Sequence, residues 1–245
     1  MRADVGHVVA TDVEADLAEL CRGDGPSLSG YMLEHGSRAD FEEFAMHRSA
    51  YQLKEADPHT WGIPRLAGAP KSAMVLIQAD EYGAGVEGES HAELFGETME
   101  ALGLDSSYGA YLDLLPGTTL ATVNLVSMLG LHRRLRGALV GHLAVFEMTS
   151  VGPMGRYSRA LRRMGLPAAA CRFYDVHVEA DVAHAVVACS RMAAGLAAQE
   201  PHLASDILFG ARALSAVEAR FAGHLLESWN RGVSSLSSRV SCPVS

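Results

Sequence analysis

Cysteine is scarce in this chain, and the four present (Cys21, Cys171, Cys189 and Cys242) are scattered without a CxxC pair. That spacing excludes a zinc knuckle and a disulfide framework, and it fits a reducing cytoplasm. Basic charge is the minority sign, with 20 Lys and Arg against 29 Asp and Glu. The densest basic stretch, His132-Arg133-Arg134-Leu135-Arg136, reads as a solvated helical face, so no nucleic-acid partner is expected. Long apolar runs are missing too. Residues 122–131 and 183–198 are too short or too interrupted to span a bilayer, and residues 1–10 lack the apolar stretch of a signal peptide. No membrane partner is expected, and the localisation expected is cytoplasmic. Flavin, nicotinamide and iron–sulfur motifs are absent, and so is nearly every strand signal.

What remains is helical. Apolar residues make up 49% of the 245, with Ala and Leu prominent at helical spacing, enough for a full core without staples. Periodicity predicts helices over 11–22, 38–56, 70–83, 87–102, 106–114, 117–130, 133–149, 152–164, 168–198 and 202–231. Proline and glycine place the breaks, among them Gly152-Pro153 and Gly165 to Pro167. The expectation is one all-α domain, residues 1–231, a bundle of seven or more helices. A Ser-rich tail, 232–245, is expected to be disordered.

The strongest local feature is His177-Val178-Glu179-Ala180-Asp181-Val182-Ala183-His184. His177, Asp181 and His184 stand at i, i+4 and i+7, which brings them onto one helical face. Two imidazoles and a carboxylate suit Fe(II) or Mn(II) better than structural zinc. A surface or capping cluster without metal is the alternative. A second stretch runs from Gln78-Ala79-Asp80-Glu81-Tyr82-Gly83 through Gly85 and Gly88 to His91. Its glycines cost a helix about 1 kcal/mol each relative to Ala, so the backbone bends there. Read alone, it is an acidic turn between helices. Glu55 lies before a proline-rich corner, in what reads as the last turn of a helix, where the helix dipole disfavours a carboxylate. Glu147 is a lone acid among Val145, Phe146 and Met148. Each of these acids read singly is unremarkable.

Taken in order, Glu55, then Glu81 with His91 ten residues later, then Glu147, then His177-x3-Asp181-x2-His184 resembles the haem-oxygenase-like di-iron oxidases and oxygenases, a family of iron-containing redox enzymes. The resemblance covers roughly residues 40–190. It implies that Glu55, His91, Glu147, His177, Asp181 and His184 occupy the usual metal-ligand positions. Glu81 matches an additional carboxylate of the amine-oxidising branch, with a catalytic part in that chemistry. A ferritin-like site would need two Glu-x-x-His motifs, and none stands at these positions.

The resemblance further implies two Fe(II) ions as cofactor, O2 as co-substrate, an external electron donor and a small-molecule substrate. Glu81 favours N-oxygenation of an amine or amino acid in specialised-metabolite biosynthesis. Oxidative desaturation, decarboxylation or C–C cleavage of an amino or fatty acid is the alternative within the family. A hydrolase or binding protein without iron is the alternative outside it. A homodimer is admitted by the resemblance alone. Tyr51, Tyr82, Phe146, Met148, Phe173 and Tyr174 lie near these positions and read mostly as core. Arg65, Arg156 and Arg172 are candidates for binding a carboxylate, while His59 and His142 read as supporting residues.

Overall fold

The computed structural model describes residues 12–237 apart from 24 and 26, and no strand occurs among the described residues. The helices are α1 (Val13–Leu20), α2 (Leu28–Glu34), α3 (Arg38–Gln52), α4 (Ala56–Thr60), α5 (Gly68–Glu81) and α6 (His91–Leu102). There follow α7 (Gly117–Leu131), α8 (Arg136–Arg163), α9 (Ala168–Val186), a π-helical segment over Val187–Ala194, α10 (Gly195–Gln199) and α11 (Ala204–Asn230). The all-α expectation holds. No helix among the described residues is long and apolar enough to cross a membrane.

Several boundaries differ from the sequence-based expectation, each for a physical reason. The break expected at Gly152-Pro153 is absent, because α8 continues through Pro153. An interior proline costs a helix about 3 kcal/mol, whereas burying a Leu, Met or larger side chain returns about 1.5–3 kcal/mol each. Beyond Pro153, the helix buries Met154, Tyr157, Ala160 and Leu161, so packing outweighs the local cost. The helix expected over 106–114 is mostly turn: the Asp105 carboxylate accepts from the Ser107 N–H at 2.8 Å, and Gly109 sits at φ +87°. That side-chain bond offers the backbone an alternative to helix. Conversely, α2 was not expected. Ser27 caps it by accepting from Gly30 N–H, and Leu28 and Met32 are buried.

Two apolar clusters divide the interior. One joins α5, α7, the first half of α8, the π-helical segment and α11, around Met74, Ile77, Leu139 and Ile207. The other joins α2, α3, α6, the second half of α8 and α9, around Phe41, Phe95, Phe173 and Tyr174. Helices α8 and α11 cross almost backbone to backbone. A Cβ on Gly141 would lie 1.8 Å from the Ile207 carbonyl oxygen, and one on Gly210 would lie 1.9 Å from that of Ala138. Only glycine allows this approach.

Residues 232–237 of the expected tail lie against the body. Ser235 is buried, with its Oγ 2.9 Å from His47 Nε2 and also bonded to Glu43, and its carbonyl accepts from His224 Nε2 at 2.8 Å. The Ser237 N–H donates to the Leu114 carbonyl at 2.8 Å. The first 11 residues and 238–245, with Cys242 and most of the expected tail, lie outside the described residues.

Candidate metal centre

Five elements converge on a buried polar centre between the two apolar clusters. Glu81 is the last residue of α5, His91 the first of α6, Glu147 lies midway along α8, and His177, Asp181 and His184 share one face of α9. Glu55 precedes α4 rather than ending α3, which stops at Gln52. Glu81, and not Glu55, is therefore the carboxylate that stands at a helix C-terminus, where the dipole disfavours it and cationic neighbours are needed. All seven residues are buried, none more than 8% exposed.

The local chain explains these placements. Ser90 starts α6 with a capping box, accepting from Glu93 N–H while the Glu93 carboxylate accepts from Ser90 N–H. This fixes His91 at the first position of α6, buried beside Glu81. The turn from Glu81 to His91 closes on Gly83, at φ +61°, where a Cβ would lie 2.4 Å from the Glu89 carbonyl carbon. No L-residue with a side chain fits there without moving the turn.

The potential donor atoms fall into two groups, each gathered within 4.8 Å. Glu55, Glu81, His91 and His177 form one; Glu81, Glu147 and His184 form the other. Glu81 is common to both. Asp181 joins the second group in space, with its Oδ1 3.4 Å from His184 Nδ1, and Glu147 Oε2 lies at 3.4 Å from the same nitrogen. Glu81 Oε2 and His91 Nδ1 are 2.9 Å apart, and Glu55 Oε1 is 3.7 Å from His177 Nε2. Yet Glu55 Oε1, Glu81 Oε2, His91 Nδ1, Asp181 Oδ1 and His184 Nδ1 are all buried without a hydrogen-bond partner. Buried polar atoms are rarely left so. Inward-facing polar atoms that crowd to within 2.9–3.7 Å of one another without a well-formed hydrogen bond fit a shared cation. Three imidazoles and four carboxylates are a mixed N/O donor set of the kind iron takes. Four carboxylates also carry the charge that two divalent cations would neutralise.

Electrostatics agree. Burial, then the neighbouring Glu81, Asp181 and Glu147, push the Glu55 carboxyl well above its usual range. Burial is also the main cause that raises Glu147 to about 8. Burial would raise Glu81 as well, but the imidazoles of His91, His177 and His184 hold it below its ordinary value. Burial opposes charge on His184, yet Asp181, Glu147 and Asp80 outweigh it and push its pKa up to about 11. The centre holds protons that a metal would displace.

The supporting residues orient the donors. His177 Nδ1–H donates to the Phe173 carbonyl at 2.7 Å, leaving Nε2 to face Glu55. The Ser150 hydroxyl donates to Asp181 Oδ2. His59 Nδ1–H donates to the Glu55 carbonyl at 3.3 Å, and His142 Nδ1–H in turn donates to His59 Nε2 at 3.1 Å. Burial lowers His59 to about 4 and His142 well below its ordinary value, so both are neutral. They stand behind the Glu55 backbone, as supporting residues. Asp80, Gln78 and Ser150 had no signal in the sequence, because their roles arise only where helices cross.

A cavity of about 20 Å³ adjoins the donors, walled by Tyr51, Glu55, Gln78, Phe146 and Ser150. A larger one, about 250 Å³, shares Tyr51 and Glu55 as walls and is otherwise lined by residues that include Trp61, Tyr108 and Val126. Tyr51 stacks on Phe146 with ring centroids 5.2 Å apart. The candidate arginines are engaged elsewhere: Arg65 with the Gly130 carbonyl, Arg156 with Ser29, and Arg172 with Glu89.

This helical bundle, with a buried Glu/His centre where its helices meet, defines a class, and sequence comparison gives its family. The pattern of the family described as iron-containing redox enzyme matches residues 42–219, and the chain belongs to that family. It is thereby an oxidoreductase. A nitrosourea synthase from Streptomyces achromogenes subsp. streptozoticus is 28% identical over 132 residues, 54% of this chain. The match covers 28% of that relative's length. Among solved structures, a CADD-like protein of unknown function from Nostoc punctiforme superposes with a TM-score of 0.69 at 15% identity, covering 88% of this chain and 96% of that one. A domain of unknown function with a heme oxygenase-like fold from Shewanella denitrificans gives 0.65 at 13% identity, covering 92% and 95%. These two likenesses establish the haem-oxygenase-like fold.

Proposed function

We propose that the chain is an O2-dependent non-haem di-iron oxygenase that transfers oxygen to nitrogen in a small amine or amino acid. The observation that carries this reading is Glu81, a carboxylate common to two adjoining groups of metal-ligating atoms. Glu55, His91 and His177 would complete one iron's protein ligands, and Glu147, Asp181 and His184 the other's. The nitrosourea synthase relative adds support, since its named product is a nitrogen-oxidised urea.

Two ferrous ions held there supply two electrons for the reduction of O2. The chain's own residues do the rest. Glu55, Glu147 and His184, whose protonated forms burial or neighbouring carboxylates favour, give up protons as metal enters. Phe146 and Leu143 wall the small cavity and keep bulk water out. Tyr51 Oη and Gln78 Nε2 are buried without partners, and both residues line that cavity, so they can bond a bound substrate. The larger cavity has its floor at Tyr51 and Glu55 and its rim at the half-exposed Lys54, Asp57, Trp61 and Tyr108, which gives a substrate a way in from solvent.

Inserting one atom of O2 into an N–H bond consumes two electrons and two protons and releases water. Those electrons come from an external donor. Anaerobic loading with Fe(II), followed by O2 and a panel of amines, amino acids and fatty acids, tests the proposal. An amine or amino acid that accelerates O2 uptake and gains one oxygen atom on nitrogen supports it. Substrate loss of hydrogen or CO2, without oxygen on nitrogen, would replace it with the desaturase or decarboxylase reading.

A further inference from the structure

We infer that Asp80, outside the donor set, is the positioning residue that makes His184 a metal ligand through Nδ1. The inference rests on the metal-binding reading above. His184 Nδ1 faces inward, 3.4 Å from both Glu147 and Asp181, and is buried without a hydrogen-bond partner. Its other nitrogen, Nε2, lies 2.8 Å from Asp80 Oδ2. A carboxylate only accepts, so Nε2 carries the proton and the Nδ1 lone pair is the one left for a cation.

The contrast with His177 shows what Asp80 adds. His177 is anchored by a backbone carbonyl of its own helix, Phe173, which no substitution removes. The anchor of His184 is a side chain from a different helix. Asp80 and Glu81 are consecutive in the last turn of α5, so they project in directions about 100° apart. One reaches the shared donor position, and the other reaches around to the back of the His184 ring. The final turn of α5 thus sets a donor and the orientation of a second donor together. The two partners also differ in environment: the His184 side chain is 1% exposed and that of Asp80 52%. Asp80 therefore keeps contact with solvent while it fixes a ring that is buried.

The test uses the full chain, stripped with chelator and titrated anaerobically with Fe(II), and separately with Co(II) for its visible spectrum. Asp80→Ala should weaken one of the two metal equivalents by about 10–100-fold and alter the Co(II) bands. Asp80→Asn keeps an oxygen acceptor for Nε2–H and should restore binding to within a few-fold. Glu179→Ala removes an equal charge from an exposed position of α9 and should change nothing. A structural ion pair alone would lower thermal stability in Asp80→Ala and leave both metal affinities and the spectrum intact, which would overturn the inference. Long-range 1H–15N spectra of the Zn(II)-loaded wild type give a check that needs no variant. They should show His184 protonated at Nε2 and metal-bound at Nδ1, and the reverse arrangement would also overturn the inference. Should the wild type bind none of these metals, the metal-centre reading itself fails, an outcome distinct from either.

Discussion

Glu81 ends α5, and its carboxylate is the one both groups of donor atoms contain. His91 belongs to one group and His184 to the other. Substitutions at these positions should therefore separate by metal count. His184→Ala should lose one metal per chain and keep the other, and His91→Ala should do likewise for the other group. Glu81→Ala should weaken both, since each ion loses a ligand and the three remaining carboxylates no longer match two divalent charges. Elemental analysis after equilibrium dialysis reads this directly, and a Glu81→Ala protein with one full-strength site would contradict the shared role. At this scale, legibility in the sequence was uneven. His177, Asp181 and His184 could be read because helical periodicity alone brings them together. Glu55, His91, Glu147 and Glu81 were reachable only through their order along a family pattern, since each acid alone looks like ordinary surface. Asp80 and Ser150 were not reachable by either route, and of His59 and His142, read as supporting residues, the bond that links them was not. Their partners sit on other elements, up to 104 residues away in the case of Asp80 and His184.

Among elements, the long helix α8 holds the site and the core in register. It carries Glu147 midway and packs against α9 on one side and α11 on another. Its crossing with α11 depends on Gly141 and Gly210, where carbonyl oxygens occupy the space a Cβ would need. Gly141→Ala should cost about 3 kcal/mol, the upper end of the usual overpacking range, because the obstacle is backbone and cannot rotate away. That corresponds to a Tm lower by on the order of 10 °C. Gly223→Ala, in α11 with nothing within 4 Å of its Cβ position, should instead be neutral or stabilise by about 0.5–1 kcal/mol. Thermal denaturation of the two variants checks both signs. The helical content of the chain was legible because apolar spacing is strong. The continuity of α8 was not, because Pro153 is a local stop signal that only tertiary packing overrules. For the same reason α2, with Gly30 in its first turn, gave no sequence signal.

The molecule as a whole gathers acids in its interior, where burial favours the protonated forms of Glu55 and Glu147, and a bound cation would displace those protons. Glu147 is raised from 4.5 to about 8 and His184 from 6.5 to about 11. A raised pKa contributes stability that is complete below the unfolded value and lost as pH climbs through the folded one. Both groups therefore stabilise the metal-free protein less as pH rises from about 5 to 9. Glu81, held below its ordinary 4.5, has completed its opposite contribution before that window opens. Metal binding expels the same protons, so the rise in Tm on adding Fe(II) should grow with pH across this range. A metal-induced shift that is flat or shrinking with pH would contradict this assignment.

The central claim, two irons that share Glu81, is tested most directly by anomalous diffraction at the iron edge from crystals grown anaerobically with Fe(II). The account predicts two peaks per chain, with Glu81 between them, Glu55, His91 and His177 around one, and Glu147, Asp181 and His184 around the other. A single peak, or none among these residues, would contradict it.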